Sequence, residues 1–148
     1  MSRLPVYALT GLLIAAAIAG PATAAPPDEA IDQLNDLRRA NGLAPLRQSQ
    51  SLGRSSERYA REMIRADYFG HSSRIAVGSE FGRAGETLAL RDGWAPAPGQ
   101  TIQSWMNSPG HRAVLLSSRF RWVGMGLARG RIGSRLVTVW VAHVGARS

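Results

Sequence analysis

Two histidines and a glutamate stand in short contexts suited to chemistry: Phe69-Gly70-His71-Ser72, Gly85-Glu86-Thr87, and the run Trp105-Met106-Asn107-Ser108-Pro109-Gly110-His111-Arg112. The chain has only 3 histidines in 148 residues, so two of them beside glycine, in a loop and at a helix start, form a concentrated signal. Imidazole and carboxylate together can hold zinc or another divalent cation, or move a proton near neutral pH. Each residue also has an ordinary reading. His71 alone is a surface or turn-capping histidine, Glu86 alone a solvated carboxylate, and His111 a ring hydrogen-bonded into the Ser108-Pro109-Gly110 turn. His111 is the most constrained, because the macrodipole at a helix start opposes the imidazolium and keeps the ring available as a ligand. His143 lies within a β-branched run and reads as a satisfied core histidine.

Other chemistries are excluded by what is missing. The chain has no cysteine, hence no thiol nucleophile and no disulfide. There is no Gly-x-Ser-x-Gly elbow and no His-Glu-x-x-His helix. Gly124-Met125-Gly126 lacks the third glycine and the following helix of a phosphate cradle. Trp105 and Trp140 sit at core spacing.

The residues must be positioned by one domain, since the length allows little more. Residues 1–24 read as a secretory signal peptide rather than a domain element. Arg3 precedes an apolar run from Val6 to Ile18, Gly20-Pro21 breaks it, and Ala22-Thr23-Ala24 suits cleavage before Ala25. That run is short for a bilayer span. The mature chain, residues 25–148, is expected to be exported, in a periplasm or outside the cell. Its formal charge is +8 less one for Arg3, or +7. All 18 basic residues are arginine, with Arg38-Arg39 the only adjacent pair. Arg54, Arg58, Arg61 and Arg65 alternate with Glu57 and Glu62 on a solvated helix face. Export and the absence of a dense basic cluster argue against nucleic acid. Anionic envelope polymers or lipid headgroups suit the charge better.

Periodicity predicts a first helix starting near Asp28 and ended by Asn41-Gly42, and a second from about Ser49 to Ala66 with Leu52, Tyr59, Ala60, Met63 and Ile64 buried. Asp67 to Glu80 reads as loop and Glu86 to Leu90 as a short strand. Asp92 to Gly99 is a Pro/Gly-rich excursion bearing Trp94. A third helix covers about Thr101 to Asn107. Ser108-Pro109, a capping hydroxyl followed by proline at the first helical position, restarts a short helix to about Leu116. Trp122 to Ala128 and Leu136 to Val144 are strands. The second is apolar on both alternating faces and must be covered on both sides. The fold class expected is α+β, a three-layer α-β-α sandwich around a small antiparallel sheet.

Together these motifs resemble the CAP superfamily, also called SCP-like or pathogenesis-related-1-like domains, in its compact bacterial secreted form. The resemblance runs from about Ala30 to Gly145. It takes in Leu34-Asn35 with Arg38, the Gly42 to Leu46 connector, the three histidine and glutamate motifs, Phe120, and Val123-Gly124-Met125-Gly126. It implies the same α-β-α sandwich and a cleft in which His71, His111 and Glu86 are the candidate metal ligands. The offset from His111 to Gly124 (124 − 111 = 13) fits that alignment. Two positions depart from the pattern. Ser108 stands where a second acid is usual, and Thr87 stands where asparagine commonly follows Gly-Glu.

The resemblance further implies an extracytoplasmic binding or effector module for a lipid, a sterol-like molecule or an anionic cell-envelope polymer. A second reading is a zinc-dependent, peptidase-like hydrolase with His71 and His111 as ligands and Glu86 as the catalytic base. With one carboxylate missing, Glu86 would have to be either ligand or base, so the cleft is thinly equipped for hydrolysis. A third reading makes the polar cluster a fixture that only holds the loops.

Overall fold

The computed structural model describes residues 25–148; the predicted signal peptide lies outside them. In chain order the elements are α1 (Pro26–Ala40), β1 (Arg47–Gln48), α2 (Gln50–Arg65), β2 (Phe81–Asp92), α3 (Pro98–Asn107), α4 (Pro109–Leu115), β3 (Trp122–Ile132) and β4 (Arg135–Arg147). Among the described residues, all eight elements and both apolar clusters lie between Pro26 and Arg147, so residues 25–148 bury two apolar clusters of their own.

The strands form one sheet in the order β1-β3-β4-β2. β4 is central and antiparallel to both long neighbours. Its parity divides the protein into layers. Val137, Val139 and Val141 pack with Tyr59, Ala60 and Met63 of α2. Trp140, Ala142 and Val144 pack on the other side with Ile31 and Leu34 of α1, Ile102 and Trp105 of α3, and Leu115 of α4. The expected α-β-α sandwich is therefore present. The sheet is mixed rather than antiparallel, because two-residue β1 pairs parallel with the start of β3, Arg47 opposite Trp122 and Gln48 opposite Val123. Both β1 residues are exposed, so no apolar pattern marks them.

Other local differences have physical causes. β2 extends over 12 residues, well beyond Glu86 to Leu90, because it pairs with β4 from Phe81 to Asp92. Polar and glycine residues at its ends hide that length. Ser108 does start α4, but its side chain makes no capping bond; its extended backbone (φ −96°, ψ 115°) and Pro109 make the break. Ser49 caps α2 as a hydroxyl should, accepting from the Leu52 N–H at 3.4 Å.

The Gly124-Met125-Gly126 segment has a packing role. A Cβ at Gly124 would overlap the Gly53 nitrogen and the Leu52 carbonyl carbon; one at Gly126 would overlap the Glu57 backbone. Helix α2 thus rests on bare β3 backbone. Ser56 completes the contact: its hydroxyl donates to the Gly124 carbonyl at 2.9 Å and accepts from the His143 N–H at 3.1 Å. On the opposite side, fully buried Arg38 ties α1 to the end of α4, donating to the carbonyls of Ala44 (2.9 Å), Leu115 (2.6 Å) and Ser117 (3.1 Å).

Gly126→Ala is expected to destabilise the domain by about 1–3 kcal/mol, the usual cost of overpacking against backbone that cannot move aside. Gly110→Ala, with nothing within 4 Å of the new methyl, should leave stability within about 0.5 kcal/mol. Urea unfolding of the two variants checks the contrast.

Candidate functional site

The site begins with strand register. Glu86 on β2 lies opposite His143 on β4, and both point toward α2. Only 8% of Glu86 is exposed, so its charge must be matched locally. Its Oε2 lies 3.0 Å from His143 Nε2. Its Oε1 lies 2.9 Å from His71 Nδ1 and accepts from the Ser72 N–H at 3.2 Å. Burial alone would raise the Glu86 carboxyl, but the bonds from His143, His71 and Ser72 outweigh it and hold the group below the usual carboxylate range.

An ionised carboxylate only accepts, so each imidazole must direct an N–H at Glu86. For His71 that proton is on Nδ1, which leaves Nε2 free in the neutral ring. The His71 side chain is 59% exposed, so the free nitrogen belongs to an accessible group. His143 is the buried core histidine expected from its strand, and its bonding is now explicit. Nε2 meets Glu86, and Nδ1 lies 2.7 Å from Ser55 Oγ, whose hydroxyl donates to the Leu52 carbonyl. The Tyr59 ring stacks near it at 6.5 Å between centroids. The Tyr59 hydroxyl donates to the Gly70 carbonyl at 2.6 Å, fixing the loop that delivers His71. Burial and the Tyr68 hydroxyl bond push this phenol upward, so it stays neutral.

His111 arrives from another layer. It is the third residue of seven-residue α4, half-buried, with its ring centre 6.1 Å from that of His71. Burial first, and the neighbouring His71 second, push its imidazole below the ordinary value. The neutral ring expected from the helix start therefore has desolvation as its main cause. Two imidazoles on one tetrahedral cation, with metal–nitrogen bonds of about 2.0–2.1 Å, have ring centres roughly 5–6 Å apart. The His71–His111 pair is near that range. A carboxylate bonded to the other nitrogen of a ligating histidine is also the usual support for such a ligand. These residues fit a two-imidazole site with open positions. Among the described residues no group of three or more histidine or acidic side chains forms a closed cation cage.

A cavity of about 490 Å³ lies on the α2 side of His71 and Glu86. Ser55, Arg58, Tyr68, Ser72 and Arg74 contribute to its lining, together with Glu62 and His143; His111 does not. Neither Arg58 nor Arg74 forms an ion pair among the described residues. Ser108 sits between α3 and α4 and brings no carboxylate. Thr87 points to the opposite layer from Glu86, with its hydroxyl buried and unpartnered among the described residues.

The structure thus joins His71 to Glu86 and sets His111 beside His71. Sequence reasoning did not find Ser55, Ser56, Arg58 and Arg74 as site residues, nor that His143 is bonded to Glu86. A signal existed for the serines: both fall on the helical stripe of Leu52, Tyr59 and Met63, where hydroxyls need buried partners.

Comparison with known proteins agrees with this architecture. Residues 31–144 match the model of CAP, the cysteine-rich secretory protein family. Two Bacillus subtilis proteins are similar in sequence. One is the uncharacterized protein YkwD, 29% identical over 105 residues, which cover 65% of this chain and 40% of that protein. The other is the uncharacterized membrane protein YlbC, 29% identical over 119 residues, covering 74% and 34%. The chain therefore matches well under half the length of either relative. In structure it is similar to an outer surface protein of Borrelia burgdorferi (TM-score 0.65, 19% identity, 82% of this chain and 92% of that one). It is also similar to an extracellular protein containing an SCP domain from Bacillus anthracis (TM-score 0.64, 24% identity, 82% and 40%). At these identities the structural likeness speaks to fold alone. The family match covers most of the chain, and the chain belongs to the CAP, or cysteine-rich secretory protein, family.

Proposed function

We propose that this domain is an extracytoplasmic binding module whose cleft, built on His71 and Glu86, receives an anionic group of a lipid or cell-envelope polymer. One observation carries the reading: both oxygens of Glu86 are committed, to His71, Ser72 and His143. A carboxylate so engaged positions an imidazole and is poorly placed to take a proton from water. The neighbouring cavity offers the guanidiniums of Arg58 and Arg74, groups that recognise phosphate or carboxylate. The predicted leader and the extracellular and outer-surface proteins of the same fold support a location beyond the cytoplasmic membrane. No helix of the described residues is long and apolar enough to cross a membrane.

In this reading His71 and His111 would hold zinc or a similar divalent cation, with Glu86 orienting His71 through Nδ1. The zinc-dependent hydrolase is the second reading, favoured by the free Nε2 of His71. Bound zinc would acidify water and polarise a carbonyl. For Glu86 to serve as base there, its carboxylate would have to release His71 or His143.

Calorimetric titration of zinc into the metal-stripped domain should give one site. Affinity is expected to fall at least about tenfold in His71→Ala and in His111→Ala, and about 10- to 100-fold in Glu86→Gln. Zinc binding indifferent to all three changes would remove the cation from both readings. Independently of metal, soluble dextran sulfate should bind the domain more weakly as salt rises. The double change Arg58→Gln, Arg74→Gln should weaken that binding about tenfold or more; an unaltered affinity would place the anion site elsewhere.

The depressed carboxyl of Glu86 also sets a pH dependence. The group favours the folded state above the unfolded carboxylate value of about 4.3, and this contribution is lost as pH falls through the lower folded value. Glu86→Gln should therefore be less stable than wild type at pH 7, with the gap narrowing below about pH 4. Urea unfolding at the two pH values measures it, and an equal gap at both would mean that the carboxylate charge contributes nothing.

A further inference from the structure

The loop between β2 and α3 has no part in the histidine cleft, yet it carries Trp94, 58% exposed. Strand register shows what lies around it. Leu136, Thr138 and Trp140 share the side of β4 that faces α1 and α3. Thr138 and Trp140 are covered by the loop: the Thr138 hydroxyl donates to the Gly93 carbonyl, and the Trp140 indole N–H donates to the Pro96 carbonyl, both at 2.8 Å. Beyond Thr138 the cover ends, and Leu136 is 42% exposed. The Gly93 N–H donates to the Leu136 carbonyl at 2.8 Å, which fixes the root of Trp94 beside Leu136.

Three arginines share that side of the sheet. Arg131 is the cross-strand partner of Leu136, and Arg129 and Arg91 flank Thr138 from β3 and β2. None of them forms an ion pair among the described residues. Arg91 bonds the Gln100 amide oxygen and Arg131 the Ser134 carbonyl; the nearby Asp92 carboxylate is taken by Arg135. A rigidly rooted indole and a leucine are thus framed by three guanidiniums without carboxylates. This combination differs from a scattered surface hydrophobe, which needs no explanation.

We propose that this end of the sheet is a docking surface for an anionic lipid bilayer. Trp94 and Leu136 enter the interfacial zone while Arg91, Arg129 and Arg131 meet headgroup phosphates. Indole settles at the boundary between water and hydrocarbon, and arginine can lay its stem along apolar surface with the charge kept at the phosphates. The formal charge of residues 25–148, +8 for the full chain less one for Arg3, or +7, provides long-range attraction to the same surface. A soluble polyanion would satisfy the arginines but has no apolar phase for the indole and the leucine. The proposal rests on the reading of the domain as an envelope-binding module and names the membrane partner. It uses the opposite side of the sheet from Glu86 and His143.

The test is flotation of residues 25–148 with vesicles of phosphatidylcholine containing phosphatidylglycerol, and with phosphatidylcholine alone. Wild type should bind the anionic vesicles and blue-shift its tryptophan emission, with much weaker binding to neutral ones. Affinity should drop at least about tenfold in Trp94→Ser, Leu136→Ser and in Arg129→Gln, Arg131→Gln, the first pair also losing the shift. All four side chains are exposed, and an unchanged melting temperature verifies folding. Binding untouched by both double variants, equal binding to neutral vesicles, or no vesicle binding would each overturn the proposal. If vesicles fail but dextran sulfate still binds through Arg58 and Arg74, only this docking surface is lost; if both fail, the envelope-binding reading fails with it.

Discussion

The seating of α2 on the bare backbone of β3 is the contact on which the site depends. Glycine at 124 and 126 removes the side chains that would hold the helix away from the sheet. At that distance serine hydroxyls, the shortest polar side chains, can reach across. Ser56 bridges the Gly124 carbonyl and the His143 N–H, and Ser55 meets the His143 ring. Larger residues at the glycines would separate the layers and leave His143 polar, buried and unpartnered on one side. Such a group costs about 1–3 kcal/mol, enough to matter in a domain of ordinary marginal stability.

From there the polar contacts run outward in one line: Ser55, His143, Glu86, His71. Each member is held by the one before it, and exposure rises sharply at the end, from 2% for the His143 side chain to 59% for that of His71. A carboxylate at the position of Glu86 without these donors would be driven toward its neutral form. With them it stays ionised and can dictate which nitrogen of His71 carries the proton. The orientation of an accessible imidazole is thereby set by buried groups on three other elements. His111 is independent of that line, carried in by the break at Ser108-Pro109 and kept neutral chiefly by burial.

How much of this is legible in sequence depends on whether a feature is periodic. Helices α1 and α2, the restart at Pro109 and the doubly buried strand β4 are visible because apolar spacing and proline act locally. The α-β-α layering follows from the two-faced character of β4 alone. β1 is invisible, being two exposed residues whose only reason to be a strand is a neighbour some seventy positions away. β2 is half visible, since its ends are strands by pairing rather than by composition. The site divides the same way. His71, Glu86 and His111 stand out by their glycine and proline contexts. The bond between Glu86 and His143 requires knowing the β2–β4 register, and the roles of Ser55 and Ser56 require knowing how close α2 approaches. Arg58 reads as part of a solvated helix face in sequence and nothing marks Arg74, because only the folded loop from Tyr68 to Ala76 brings both to one cavity.

The alternation that makes β4 legible also keeps the two faces of the protein chemically separate. Residues 137 to 143 at odd positions end in the polar line under α2, whereas even positions from 136 to 144 serve α1, α3 and the Trp94 loop. A one-residue slip of β4 would turn His143 into the apolar layer around Trp105 and set Ala142 or Val144 opposite Glu86, leaving the buried carboxylate without its His143 donor. The buried hydrogen bond between Glu86 and His143 is therefore a register lock as well as a support for His71, and this explains why a polar pair can persist in an otherwise valine-rich strand. Fixing the strand in this way also fixes where its uncovered end falls. Leu136 and the arginines beside it are exposed because the same register that seats His143 against Glu86 carries them past the last residue the β2–α3 loop can cover.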